Sequence, residues 1–281
     1  LEPLTMWKMV HDRNAIEMMT AALRFREAIP SLASKRILRA IEPAATFQGL
    51  INRQPIQSFQ INFGTPNVQT PGQVLNGMVF QKTSLVKVGE QVVNQLASQV
   101  QFQPTEIVFN SWIYNSWEKE REDIRAILKD AISIAADAVA IANIRLEYVD
   151  RFIFDGENSA FTARGLLRED SDLVSPHIFS APDLFHSHTG RFDDVTEISR
   201  TLYQVNIDAQ DVNNHQVLGS RRSIATTTAV EVQYNQGLEI ESKDAIDSYI
   251  ASLDDLHSQV IDLFKKIIDV NFAKANGLPH E

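Results

Sequence analysis

A long amphipathic segment constrains the fold of this chain more than any other feature of its sequence. From Ser242, a residue type that often caps helices, to about Phe272, large apolar residues recur at steps of three and four. A helix with such a stripe is stable only when that face is covered by other parts of the protein. The segment therefore predicts a long helix on a broad apolar surface. The stripe consists of Ile246, Tyr249, Ile250, Leu253, Leu256, Val260, Ile261, Phe264, Ile267 and Ile268.

A second long helix is predicted after Asn115-Ser116-Trp117-Glu118. In this tetrapeptide Asn115 is expected as the N-cap and Glu118, three residues later, completes a capping box. Apolar residues then follow at helical spacing as far as Ala138, which indicates one buried stripe.

Runs rich in β-branched and aromatic residues, bounded by turn-forming residues, predict strands in the rest of the chain. The predicted strands are 16–25, 59–63, 78–83, 106–114, 145–154, 178–192 with an interruption at Pro182, 202–208 and 224–234. The stretch 86–100 fits a strand or a helix, and a short helix capped by Ser34 and ended by Pro43 is expected after the first strand. Short connections favour antiparallel pairing.

These elements predict an α+β fold made of two pseudo-repeated halves. Each half opens with a strand, passes through a region broken by Pro and Gly, and ends in a strand that leads to a long amphipathic helix. Each half is then a curved antiparallel sheet covered by its helix. We place the boundary between an N-terminal half, 1–142, and a C-terminal half, 143–281, and expect them to form one compact unit.

Composition excludes several kinds of protein. In 281 residues, 44% are apolar and 22% are charged, which is typical of globular proteins, and the absence of Cys excludes disulfides, thiolate metal sites and cysteine nucleophiles. The formal net charge of −10 is unfavourable for non-specific binding to nucleic acid. No apolar run is long enough to span a membrane and the first residues do not resemble a signal peptide. We therefore expect a cytoplasmic protein that does not associate with membranes.

Asp150 is the candidate catalytic carboxylate. Alternation in the strand 145–154 places it on the same face as Tyr148 and Phe152. Burial without a partner would raise its pKa and make it a candidate acid. A pair with Arg145 or Arg151, or a hydrogen bond from a Tyr hydroxyl, would make it a structural anion, and we favour this interpretation. Arg145, Tyr148 and Arg151 are accordingly candidate ligand-binding residues.

Two other clusters are candidate sites. His186 and His188 would share one face of a strand and are candidate metal ligands, with Asp193, Asp194 or His177 as the third ligand. Two exposed polar residues are the simpler interpretation, and no cofactor is expected. Arg221 and Arg222 follow Gly219 in a predicted loop that would hold a phosphate or carboxylate, or carry only solubilising charge.

Three segments carry recognisable motifs. The first is Asn14-Ala15-Ile16-Glu17, leading to Leu23-Arg24-Phe25. The second is Tyr114-Asn115-Ser116-Trp117-Glu118, with a long helix and then Arg145-Leu146-Glu147-Tyr148-Val149-Asp150-Arg151, and the third is Leu253 to Phe264 with His257. In order and spacing these segments resemble a sporadically distributed prokaryotic family of uncharacterised proteins. The resemblance spans nearly the whole chain and implies no established activity, substrate or cofactor.

The functional expectation is a non-enzymatic binding or scaffold module for a protein or a small ligand. The chain has no G-x-G-x-x-G, G-x-x-x-x-G-K-[ST], H-E-x-x-H or G-x-S-x-G motif. Its Gln-rich stretch 48–103 suits an adaptable contact surface and suits ordinary edge strands and loops equally well. A metal-dependent or carboxylate-based hydrolase is one alternative. An accessory protein of a mobile-element or phage-defence gene cluster is another, because the family that the chain resembles is patchily distributed. Homo-oligomerisation also stays open.

Overall fold

One ten-stranded antiparallel sheet forms the framework of the protein. The computed structural model describes residues 6–59, 73–88, 91–181, 183–213 and 220–280. The strands are β1 (Trp7–Met9), β2 (Ile16–Phe25), β3 (Asn52–Phe59), β4 (Gln73–Val88), β5 (Gln91–Gln103), β6 (Glu106–Ser111), β7 (Ile141–Phe154), β8 (His186–Asp193), β9 (Ser199–Asn213) and β10 (Ser220–Leu238). Their spatial order is β3-β4-β5-β6-β2-β7-β10-β9-β8, and β1 pairs separately with β7.

The helices pack side by side and cover the central strands. They are α1 (Ser31–Phe47), α2 (Trp117–Ala136), α3 (Ala245–Ile267) and α4 (Val270–Ala275). Helix α1 packs on α2, α2 packs on α3, and α3 lies on β7 and β10. Short 3-10 turns at Asn158–Ala160 and Pro176–Phe179 occupy the connection between β7 and β8. None of the helices in the described ranges has the length and apolar character needed to cross a membrane.

The prediction of two pseudo-repeated halves is wrong, although the predicted antiparallel pairing is confirmed. Strands β2 and β7, which were assigned to different halves, are hydrogen-bonded neighbours at the centre of one sheet, with Ala21 opposite Leu146 and Leu23 opposite Ile144. Periodicity within a strand shows which face is buried, but it carries no information about the neighbour at each edge. Pairing of these two strands joins all ten into one sheet in place of two separate units.

The predicted buried faces agree with the structure. Burial alternates along β7 from Leu146 to Phe154, and Asp150 takes its place in that buried row. The stripe of α3 is confirmed as the covering surface, since Leu253 and Ile267 are completely buried. Phe152 of β7 makes an edge-to-face contact with Phe272 of α4, with ring centroids 5.6 Å apart.

Helix boundaries differ from the prediction at both α1 and α2. Helix α1 begins at Ser31 and continues through Pro43 to Phe47, although a proline inside a helix costs about 3 kcal/mol. The stripe of Ile37, Ile41 and Ala45 is completely buried on both sides of Pro43, and this burial outweighs the cost. The N-cap of α2 is Ser116, not Asn115, because the Ser116 hydroxyl accepts the backbone N–H of Lys119.

The strand predictions were least accurate in the irregular regions. The described part of the ambiguous stretch 86–100 is strand, divided between β4 and β5. The predicted strand 178–192 is shorter, since β8 begins only at His186. Residues 60–63 and Pro182 lie outside the described residues.

Candidate functional site

A cavity of about 340 Å³ lies between the central strands and the two long helices. Its walls come from the segment before β2, the end of β6, the start of α2, β7, β10, α3 and the segment after α4. The lining residues that bear on its chemistry are Asn14, Tyr114, Trp117, Tyr148, Asp150, Thr228 and His257.

Asp150 is a buried carboxyl that lines this cavity without a partner. Its side chain is only 5% exposed, and it makes no hydrogen bond or ion pair with any residue in the described part of the chain. Loss of solvation raises the pKa of Asp150 to about 7, because a charge in a poorly solvated site is costly. Asp150 is therefore a proton acceptor or donor near neutral pH.

The expected arginine partners of Asp150 are on the opposite face of the sheet, so the prediction of a satisfied ion pair is wrong. Arg145 Nη2 lies 2.6 Å from Glu147 Oε2, and its Nη1 lies 3.5 Å from the buried carboxylate of Glu231. Arg151 pairs with Glu17 at 2.7 Å. Both arginines occupy odd-numbered positions of β7, and alternation directs their side chains away from Asp150.

Two threonines of β10 extend the polar stripe beside Asp150. Thr226 is paired in register with Asp150, and Thr228 with Tyr148, so all four side chains share the face that the helices cover. Both threonines are completely buried, and neither hydroxyl has a hydrogen-bond partner among the described residues. Buried polar groups without partners are uncommon in native proteins. Thr228 lines the cavity, which therefore has unused hydrogen-bonding capacity at its base.

Tyr148 and His257 form a hydrogen bond between the sheet and α3. The Tyr148 Oη atom lies 3.0 Å from Nδ1 of His257, and the tautomer of the imidazole decides which group donates. Burial lowers the pKa of His257 although Asp254 and Glu118 act in the opposite direction. Burial also raises the pKa of Tyr148 well above its ordinary value. Both rings are therefore neutral at neutral pH.

Trp117 holds His257 in place from the other side. The two rings stack with centroids 4.6 Å apart and an interplanar angle of 12°. The Trp117 indole N–H donates to Asp254 Oδ1 at 2.7 Å, and Arg121 forms an ion pair with the same carboxylate at 3.2 Å. These contacts join α2 to α3 at the edge of the cavity and fix the orientation of the imidazole.

Tyr114 completes the aromatic wall. Its ring meets that of Tyr148 edge to face at a centroid distance of 5.6 Å, and burial raises the pKa of Tyr114 to about 12. The Asn14 side chain donates to the Tyr114 carbonyl at 3.5 Å and accepts the Ile16 backbone N–H at 3.0 Å. The segment before β2 is thereby attached to the cavity entrance.

Glu120 is a second buried carboxyl close to this wall, on the first turns of α2. It is 3% exposed, and burial raises its pKa to about 7 although hydrogen bonds with Ser111 and the Asn115 backbone act in the opposite direction. Unlike Asp150, it has partners and does not line the cavity. Its role in the described structure is to connect α2 with the end of β6.

The predicted metal ligands do not assemble into a site. His186 and His188 lie on the edge strand β8 with ring centroids 5.6 Å apart, and both are exposed. The carboxylate near His188 is Asp208, at 3.9 Å, whereas Asp193 pairs with Arg191. His177 is instead hydrogen-bonded to Ser175, and no group of three or more His, Asp or Glu suited to a metal occurs within the described ranges.

Arg221 and Arg222 lie in β10, not in the predicted loop, and Gly219 falls outside the described residues. Arg222 forms ion pairs with Asp183 at 2.6 Å and with Asp211 at 3.2 Å. Arg221 donates to the Gly156 carbonyl at 3.5 Å. The Arg222 charge is thus already paired within the protein, and the pair is not arranged as an anion site.

Sequence reasoning selected Tyr148 and Asp150 but missed Tyr114, Trp117 and His257 as site residues. Each of these residues lies in one of the three motif-bearing segments of the sequence, and all three segments contribute to the cavity wall. Comparisons of the chain with models of known protein families and with curated protein sequences gave no match. The geometry of the cavity therefore carries the functional argument.

Proposed function

We propose that the protein is a binding module whose cavity, between β7, β10, α2 and α3, takes a small ligand. The observation that carries this proposal is the Asp150 carboxyl, buried in the cavity wall without a partner. An unpaired buried polar group costs about 1 to 3 kcal/mol, and a ligand that pairs with it removes that cost. Small-molecule sites are largely apolar with a few convergent polar groups, which is also the composition of this cavity.

The cavity wall is held in one arrangement before any ligand enters. The hydrogen bond of Tyr148 with His257 and that of Trp117 with Asp254 fix three aromatic rings of the wall. Prior ordering of this kind favours binding, because fewer side chains must be immobilised when the ligand arrives.

The test is a ligand screen with a variant that fills the cavity. We would screen small amines, guanidines, carboxylic acids, amides and alcohols by ligand-observed NMR against the parent, Ile261→Trp and Lys266→Trp. Ile261 lines the cavity, whereas Lys266 is exposed on the same helix and serves as the control. We expect at least one class to bind the parent and Lys266→Trp but not Ile261→Trp. Absence of binding, or binding that a folded Ile261→Trp variant retains, would contradict the proposal.

A carboxylate-based hydrolase is the second candidate, favoured by the raised pKa of Asp150. A carboxyl group with a pKa of about 7 has the proton affinity that suits general acid-base catalysis at neutral pH. Assays with chromogenic esters, phosphoesters and glycosides would compare the parent with Asp150→Asn. Turnover that the folded variant loses supports the enzyme. Absence of turnover across these substrates supports the binding module.

A further inference from the structure

The charge around Asp150 points to the chemical class of the ligand. We infer that the ligand carries a primary ammonium group that enters the cavity and pairs with Asp150, an inference that rests on the proposed function of the cavity. The two Asp150 carboxylate oxygens and the Thr228 hydroxyl oxygen line the cavity, and an ammonium group has three N–H donors for these three acceptors. Thr226 stands beside them in register.

Among the described residues, no cation pairs with Asp150 in place of that ammonium group. The titratable and charged groups that line the cavity are Arg13, Tyr114, Glu118, Tyr148, Asp150 and His257. Arg13 lies in an exposed segment and forms no ion pair with Asp150 in the described structure. The pKa directions of Tyr114, Tyr148 and His257 make these rings neutral at neutral pH. An anionic ligand would therefore enter beside an unpaired carboxyl.

The aromatic wall favours the same class. Tyr114 and Tyr148 meet edge to face within the cavity wall, and Trp117 lies beside them. Aromatic rings attract cations through their negative faces, and the attraction is larger in a poorly solvated site. Without a ligand the Asp150 carboxyl is buried and unpaired, which is unfavourable in free energy, and the rings attract cations. Both features favour a ligand with a positively charged nitrogen.

The test compares three probes that share one ring: benzylamine, benzyl alcohol and benzoate. Binding to the parent, Asp150→Asn and Glu17→Gln would be measured by NMR titration, with circular dichroism as the check of folding. Glu17 is the control, because its carboxylate pairs with Arg151 on the opposite face of the sheet. We expect benzylamine to bind the parent and Glu17→Gln about tenfold more tightly than benzyl alcohol, and Asp150→Asn to lose this preference.

The parent alone supplies a second measurement that needs no variant. Benzylamine stays protonated near neutral pH, so its affinity should rise as pH increases through the pKa of Asp150, about 7, and the carboxyl ionises. An affinity for benzylamine that stays constant or falls over this pH range would overturn the inference.

The outcomes separate the inference from the proposed function. If benzyl alcohol or benzoate binds the parent as tightly as benzylamine, or if Asp150→Asn keeps the preference for the amine, the ammonium inference is overturned. In that case the proposed ligand site is still supported if Ile261→Trp abolishes binding of the compound that bound the parent. If neither these probes nor the wider screen gives a compound that Ile261→Trp blocks, the proposed function fails and the inference fails with it.

Discussion

The phenol oxygen of Tyr148 lies 3.0 Å from Nδ1 of His257, although the two residues are 109 positions apart in the chain. Tyr148 belongs to the central strand β7 and His257 to helix α3, so the hydrogen bond joins the sheet to the layer of helices. Asp150, two residues further along the same face of β7, has no such contact with the described residues. The Tyr148 hydroxyl therefore has a hydrogen-bond partner, whereas the neighbouring Asp150 carboxyl is left without one in the cavity wall.

Tyr148→Phe should lower the free energy of unfolding by about 0.5 to 1.5 kcal/mol, because it removes the hydroxyl that forms a hydrogen bond with His257 and also interacts with the Tyr114 side chain. Tyr249→Phe is the matched control, since Tyr249 is equally buried but its hydroxyl makes no hydrogen bond with the described residues. Urea denaturation of both variants is the measurement. Equal effects of the two substitutions would mean that the hydrogen bond with His257 contributes nothing.

His257 should make the protein less stable in acid. Burial lowers the pKa of His257 in the folded state, so the unfolded chain binds the proton more readily, and stability falls as pH decreases below about 6.5. His257→Gln should remove this part of the pH dependence. His186→Gln, with its ring in solvent, should keep the parent profile. Urea melts at about pH 7.5 and about pH 5.5 distinguish the two variants, and identical profiles for both would contradict the prediction.

Asp150→Asn should stabilise the protein above neutral pH. The pKa of Asp150 is raised from 3.8 to about 7, so the contribution of this one group to stability is largest below about pH 4 and is lost as pH rises from about 4 to about 7. Over this pH range the ionisation of Asp150 lowers the free energy of unfolding by about 4 kcal/mol, and the uncharged side-chain amide of the variant avoids this loss. Urea melts at about pH 8 should therefore show a gain for Asp150→Asn.

The control for this prediction is Glu231→Gln. Glu231 is equally buried but accepts from Asn143 at 2.8 Å and Gln233 at 2.7 Å, with Arg145 at 3.5 Å. Loss of the Glu231 charge should lower the free energy of unfolding by about 1 to 3 kcal/mol. A loss of stability in Asp150→Asn similar to that in Glu231→Gln would mean that Asp150 has a partner in solution.

Phe264→Ala should cost about 3 to 5 kcal/mol, because it removes a large side chain from the buried stripe of α3. Phe264 also lines the cavity, so the variant enlarges the same site. Lys266→Ala, two residues away on the exposed face, should change stability by less than about 0.5 kcal/mol. A cost below about 1 kcal/mol for Phe264→Ala, measured by urea denaturation, would mean that this face is poorly packed.

The sequence predicted the local parts of this structure better than its long-range pairing. Period-two alternation selected the face of β7 that holds Tyr148 and Asp150, because side-chain direction in a strand is a local property. The partners that the sequence predicted for Asp150 were wrong. Arg145 and Arg151 are close in sequence, but they project from the other face, where Glu147 and Glu17 neutralise them.

The same reasoning missed the aromatic wall of the cavity. His257 lies near Tyr148 only because α3 packs across β7 and β10, and that docking depends on the pairing of strands distant in the chain. Periodicity placed His257 on a helix and Trp117 at the start of another. It did not indicate that their rings stack, since the relative position of two helices is a property of the whole sheet.

The most direct test of the account is a titration of the Asp150 carboxyl itself. Aspartate labelled with ¹³C at the side-chain carboxyl gives one NMR signal per Asp, and Asp150→Asn identifies the signal of Asp150 by its loss. Selective labelling also excludes the signal of Glu120, a second buried carboxyl whose pKa is raised to about 7. The predicted result is a midpoint at about 7 in the free protein, which moves downward when benzylamine binds. A midpoint near the ordinary value of about 4, unchanged by the amine, would contradict the account, because Asp150 would then be solvated or already paired.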